Sequence, residues 1–235
     1  MNAGSTLRVA NLGAVDYDAA LKLQTALAAQ RVADEIGDTL LLLEHHHVFT
    51  LGRGANEGFI VAKPAEVPIY RVSRGGEVTY HGPGQLVGYP ILKLDGLARD
   101  VNKYLRALEQ AMIDALAGFG IEATRREGLT GVWIGQRKIG SIGVGIKRWV
   151  TYHGFALNVS TDLSFFDSIV PCGIDGCQMT SMAALGRSEV SIDAFSLATR
   201  ESFRRVFGYD SITMVSADEI WNSIDSQPAL TEAQR

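Results

Sequence analysis

Pro171-Cys172-Gly173 sets a thiol between a residue that fixes the backbone and one that frees it, an arrangement that presents a nucleophile on a loop. The same residue also reads as a small buried structural cysteine, the commoner fate of an arbitrary thiol. To react, it must ionise near neutral pH, and a free thiol with a pKa of about 8.5 needs a nearby cation, histidine or helix start. Lys138 and His81 are the candidates. Strand alternation over Arg137 to Gly145 sends Lys138, Gly140, Ile142 and Val144 to one face and Ile139, Ser141 and Gly143 to the other. A lysine beside an apolar strand ordinarily reaches water along its stem. Held near a thiol in a dry pocket, it can instead stabilise a thiolate and, once neutral, accept a proton. Cys177 fits neither a redox C-x-x-C nor a zinc knuckle and carries no assigned role.

The segment Arg74 to Gln85 gathers glycines and a proline around Arg74, Tyr80 and His81. Such a loop can turn tightly and lay its amides beside a ligand, or it can be a hairpin with sharp turns. It is no phosphate loop, because G-x-x-x-x-G-K-[ST] is absent throughout the chain. Gly52 to Gly58 misses the dinucleotide fingerprint by one place, and no G-x-S-x-G elbow marks a serine hydrolase. His45-His46-His47 invites a metal reading, since His45 and His47 would share a strand face. No helical H-x-x-x-H or H-E-x-x-H spacing follows, and no metal is expected.

These residues need a scaffold. A helix is expected over Tyr17 to Ala33 with Asp16 as its cap, and a short buried strand over Thr39 to Leu43. Val101, Tyr104, Leu105, Leu108, Met112, Ala115, Leu116 and Phe119 recur at helical spacing across Asp100 to Phe119, with Gly120 as the stop. Gly131 to Trp133, Lys138 to Ile146 and Tyr152 to Val159 read as strands, and Ile192 to Phe207 as a helix between Ser191 and Gly208. Strands and helices alternate without a strict βαβ rhythm, which points to a mixed-sheet α/β (α+β) domain with flanking helices. One domain over residues 1–224 and a loose tail over 225–235 are expected.

Composition agrees with an ordinary globular domain of 235 residues, 46 % hydrophobic and 20 % charged. Its 25 glycines exceed the average share of roughly 7 %. A net charge of −4 argues against nucleic acid as the main partner. No apolar run approaches the roughly 20 residues of a membrane span. No secretory signal opens the chain, and two cysteines make no disulfide framework, so a cytoplasmic location is expected; no apolar stripe is left over, so a monomer is expected.

Taken together, the segments from about Leu40 to Leu185 resemble the octanoyl transferase family of lipoate biosynthesis. The resemblance is carried in order by Glu44-His45, Thr50-Leu51-Gly52-Arg53, Arg74-Gly75-Gly76 and His81 through Pro90. Gly131-Val132-Trp133, Arg137-Lys138-Ile139, His153 through Asn158, and Ile169 through Ile174 with Thr180-Ser181 complete it. It implies a fold similar to the catalytic domain of biotin and lipoate protein ligases, and a thioester enzyme with Cys172 as nucleophile and Lys138 as its partner. It also implies an acyl pocket built from Arg74, Gly75, Gly76, Glu77, Val78, Thr79, Tyr80, His81, Ser141, Ile142, Gly143, Gly154, Phe155 and Ala156. Gly140-Ser141 departs from the two alanines common in the family, but both replacements are small. The implied donor is octanoyl-acyl carrier protein. The implied acceptors are lipoyl domains of 2-oxoacid dehydrogenases and the glycine cleavage H protein, with no cofactor and no ATP. Acidic partners would call for local basic charge, for which Arg53, Lys63, Arg125, Arg126, Lys147 and Arg148 are candidates. An ATP-dependent ligase on the same fold and a non-catalytic lipoyl-domain or carrier-binding module are the alternatives.

Overall fold

Leu40 to Leu43 are all buried, although successive strand residues face opposite ways. Such a run requires cover on both faces of its sheet. The computed structural model, which describes residues 5–62, 66–94, 99–174 and 176–225, supplies that cover. Leu40 and Leu42 join a core with Leu108, Met112 and Phe203, whereas Leu41 and Leu43 join another with Ala20, Leu23 and Leu27.

The sheet between these cores has eight strands in the order β11-β1-β2-β6-β10-β9-β8-β7. They span Thr6–Val15 (β1), Thr39–His45 (β2), Gln85–Ile91 (β6), Thr124–Arg126 (β7), Leu129–Ile134 (β8), Arg137–Lys147 (β9), Val150–Asn158 (β10) and Ser211–Met214 (β11). β1 is parallel to β2 and β11, and the other pairings are antiparallel. A smaller sheet holds Val48–Leu51 (β3) between Ile69–Arg71 (β4) and Val78–His81 (β5). Helices Tyr17–Val32 (α1) and Ala217–Asp225 (α4) contact each other on one side of the large sheet. Val101–Ala117 (α2) and Ile192–Phe207 (α3) pack together on the other. The mixed α/β expectation holds. Among the described residues no helix is long and apolar enough to cross a membrane.

α3 has the expected limits: Ser191 accepts the Ala194 amide, and Gly208 takes the left-handed conformation that closes a helix. α2 starts on Asp100, which accepts the Lys103 amide, but ends at Ala117, before the expected Phe119. Asp16 stands at the start of α1 without a side-chain cap bond, and α1 ends at Val32. β1 lies outside the sequence expectations. Its alternation through Leu7 and Val9 breaks between Asn11 and Ala14, where the register against β2 shifts. The expected loose tail begins at the last residue of α4, and residues 226–235 lie outside the described residues.

Candidate active site

β9 is gripped on both flanks at Lys138. Trp133 of β8 pairs with it, and on the other side its N–H donates to the Gln178 carbonyl while its carbonyl accepts from the Thr180 N–H, both at 2.8 Å. Between Val132↔Gly140 and Trp133↔Lys138 the register gains one residue on β9. That bulge at Ile139 breaks alternation. Lys138 therefore does not share a face with Gly140 as strict alternation requires. Gly140 faces Met112 and Val132, while the Lys138 amine turns into a cavity and donates to Cys172 Sγ at 3.0 Å and to the Thr130 carbonyl at 3.1 Å. The side chain is 2 % exposed, and the amine lies 5.3 Å from the Trp133 ring centroid.

Cys172 occupies the single turn Pro171–Gly173 at φ 57°, a conformation that costs a non-glycine residue energy. The turn is closed by Gly173 N–H to the Val170 carbonyl and Ile174 N–H to the Pro171 carbonyl. Just upstream, Val170 N–H donates to the Phe59 carbonyl, and Ile169 belongs to the core of the small sheet. The thiol thus comes from the small-sheet side and the amine from the large sheet. Cys177 is a second free, half-buried thiol that burial pushes up, with Lys138 acting against the shift.

The cavity they share has a volume of about 200 Å³. Of the residues expected to line it, Arg74, Gly76, Glu77, Val78, Thr79, His81, Ser141, Ile142, Gly143, Gly154, Phe155 and Ala156 do so beside Lys138 and Cys172. Gly75 and Tyr80 do not. Gly75 instead donates its N–H to the Val144 carbonyl, and Tyr80 turns away to stack on Phe165 and hydrogen-bond His47. Tyr17, Tyr89, Gly128, Leu129, Thr130, His153 and Ile174 complete the lining without having been expected there. Tyr89 and His153 sit inside the quoted motif blocks, which was the available signal for them. The turn Gly128 to Thr130 carries none.

The Arg74 to Gln85 segment is not a hairpin. β5 pairs with β3 in the small sheet, whereas β6 pairs with β2 and β10 in the large one, so the chain changes sheets at Gly82 to Gly84. Arg74 is buried and donates to the Thr50 carbonyl and hydroxyl and to the Gly75 carbonyl. Burial pulls its guanidinium below the usual arginine range. Gln85 donates from Nε2 to the Tyr80 carbonyl and to Asn158 Oδ1, leaving its Oε1 to accept from His81 Nδ1 at 2.7 Å. His81 thus turns Nε2, as an acceptor, away from Gln85. Burial pushes His81 down to about 3 and His153 to about 4, so both rings are neutral at neutral pH.

The three histidines do not share a face. His45 ends β2 and bonds the Val15 carbonyl and the Tyr89 hydroxyl, His46 faces Asp16, and His47 meets Tyr80. The basic candidates also separate. Arg125 is engaged by Glu109 and Gln110, Arg126 lies over Trp133, and Lys147 ends β9, followed by Arg148 in the turn to β10, at the opposite end of the strand from Lys138. Arg53 donates to the Ser73 carbonyl, and Lys63 lies outside the described residues.

The family model of the lipoyl protein ligase A/B catalytic domain matches residues 16–204. An octanoyltransferase of Solibacter usitatus is 53 % identical over 206 residues, covering 86 % of this chain and 93 % of the relative. That of Gloeobacter violaceus is 49 % identical over 197 residues, covering 83 % and 88 %. Among solved structures, the bi-partite lipoate protein ligase system of Thermoplasma acidophilum aligns with a TM-score of 0.66 at 18 % identity, covering 97 % of this chain and 95 % of that one. A biotin protein ligase from Aquifex aeolicus in complex with biotin and ATP aligns at 0.53 and 11 % identity, covering 87 % and 71 %. At such identities the structural likeness establishes the fold.

Proposed function

The chain belongs to the octanoyltransferases of the lipoyl protein ligase A/B catalytic domain family, and from that membership we propose how it transfers an octanoyl group in lipoate biosynthesis. Cys172 carries the acyl chain as a thioester, and Lys138 moves the protons. The observation that carries this reading is the 3.0 Å contact between amine and sulfur inside a cavity of about 200 Å³.

At that distance the Lys138 amine is placed to exchange a proton with the sulfur, and the scheme proceeds through the Cys172 thiolate. The thiolate attacks the thioester carbonyl of octanoyl-acyl carrier protein. A new C–S bond forms, the bond to the carrier sulfur breaks, and the departing thiolate takes a proton from Lys138. The lysine amine of a lipoyl domain then attacks the Cys172 thioester. An amide C–N bond forms, the C–S bond breaks, and the amine's proton returns to Lys138, restoring the thiolate–ammonium pair. Thioester exchange is nearly balanced and aminolysis is downhill, so no nucleotide is required. Residues 1–224 act as one catalytic domain. Acyl carrier protein and lipoyl domains are the partners in general, with domains of 2-oxoacid dehydrogenases and the glycine cleavage H protein as the specific acceptors.

Intact-protein mass spectrometry after mixing with octanoyl-acyl carrier protein tests the scheme. A hydroxylamine-labile octanoyl adduct is expected on the native chain and absent from Cys172→Ala. Full transfer activity in Cys172→Ala, or transfer that requires ATP, overturns it.

A further inference from the structure

His153 is a cavity residue that the transfer scheme does not use. It pairs with Val144 midway along the β9–β10 ladder, and of the β10 residues that line the cavity it lies farthest from the Lys138 end of β9. Its side chain lines the cavity and is 1 % exposed, yet neither Nδ1 nor Nε2 has a hydrogen-bond partner among the described residues. Leaving buried polar atoms unpaired is costly. The backbone adds a second cost, since φ is 54° within a strand and the residue is not glycine. Gln24 of α1 accepts the His153 N–H at 2.7 Å and holds the residue there. A side chain serving only to fill the core would need neither the strain nor the nitrogens. Strain that the surroundings enforce is characteristic of ligand contacts.

Between the thiol and this ring the cavity wall is Ser141 to Gly143 of β9 facing Gly154 to Ala156 of β10. Apart from the Ser141 hydroxyl, the side chains there offer no hydrogen-bonding group. Polar groups such as Arg74, Thr79, His81 and Tyr89 line other parts of the cavity. An acyl chain held at Cys172 and lying along the β9–β10 wall thus runs toward the imidazole of His153, which when neutral has one donor and one acceptor.

We infer that His153 determines acyl specificity at the distal end of the cavity, as a hydrogen-bonding terminus that accepts an octanoyl chain bearing a terminal hydroxyl and turns away longer alkyl chains. The inference rests on the thioester reading above. A methylene pressed onto the imidazole would seal its nitrogens from any polar partner, whereas a terminal hydroxyl satisfies them. Sites built to hydrogen-bond a group discriminate more strongly than sites that only measure length.

The test follows adduct formation on Cys172 by intact mass with octanoyl, 8-hydroxyoctanoyl and dodecanoyl donors. The native enzyme is expected to load the hydroxylated chain at a rate within a few fold of octanoyl and dodecanoyl about tenfold or more slowly. His153→Phe, similar in shape but without nitrogens, is expected to reverse the preference for the hydroxylated chain over dodecanoyl. His153→Asn, which tolerates the left-handed backbone and is shorter, is expected to load dodecanoyl faster than the native enzyme. Equal native rates for octanoyl and dodecanoyl with rejection of the hydroxylated chain overturn the inference, and so do variants that leave the order unchanged. Absence of any octanoyl adduct on the native enzyme overturns the thioester reading instead.

Discussion

At Cys172 a strained backbone and a buried amine act on one sulfur atom. The left-handed turn aims Sγ, and the Lys138 amine, fixed by the Thr130 carbonyl, meets it. Lys138→Met keeps most of the stem and removes the proton carrier. It is expected to slow both acyl steps by roughly a hundredfold or more, read as single-turnover loading and unloading of Cys172. Lys138→Arg keeps the charge but cannot give up its proton, so unloading is expected to suffer more than loading. Equal slowing of the two steps by Arg would show that charge alone matters. Thiol and amine were both legible in the sequence, the first from Pro171 and Gly173 around it and the second through the family resemblance. The bulge at Ile139 was not, because an added residue in a pairing register leaves no mark on hydrophobic alternation.

Among the elements, the β8–β9 pair shows how an apolar frame places a charge. Gly131 has φ 128°, and a Cβ there would stand 2.7 Å from Lys138 Cε and 2.6 Å from the Gly140 carbonyl oxygen. The Gly131 N–H donates to Glu109, a fully buried carboxylate of α2 that also binds Arg106 and Arg125. Gly131→Ala is expected to displace the amine and lower kcat about tenfold or more, with a stability loss of roughly 1–3 kcal/mol. Turnover and urea midpoint measured on one preparation check both effects, and unchanged turnover would show that the strand absorbs the methyl. Helices were the most legible elements, since Ser191, Gly208 and Asp100 are local stop and start signals that packing did not override. The β5 to β6 passage was not legible. A glycine-rich turn looks the same whether the chain folds back on itself or crosses to another sheet.

For the whole molecule, His45, His81 and His153 bury neutral rings close to one another, with His45 and His153 pushed down to about 4 and His81 to about 3. Between those values and the ordinary 6.5, the unfolded chain binds more protons than the folded one, so stability rises with pH across that window. The contribution is complete above about pH 6.5 and is lost on acidification toward pH 4, on the order of a few kcal/mol per site. Urea midpoints are expected to fall steadily from pH 7 to pH 5, and a flat profile would contradict neutral burial. The mixed sheet with helices was legible from the rhythm of short strands. Strand order was not, because β1 reaches β11 only through contacts that span nearly the whole chain.

The thiol and the amine are mounted on different parts of the fold. The turn bearing Cys172 is anchored upstream to the three-stranded sheet, and a few residues later the chain zips onto β9 beside Lys138. Nucleophile and base are thus furnished by separate structural blocks, and their meeting depends on how those blocks dock. A partial opening that frees the smaller block can silence the chemistry while the main scaffold still stands, which makes catalytic competence more fragile than the fold itself.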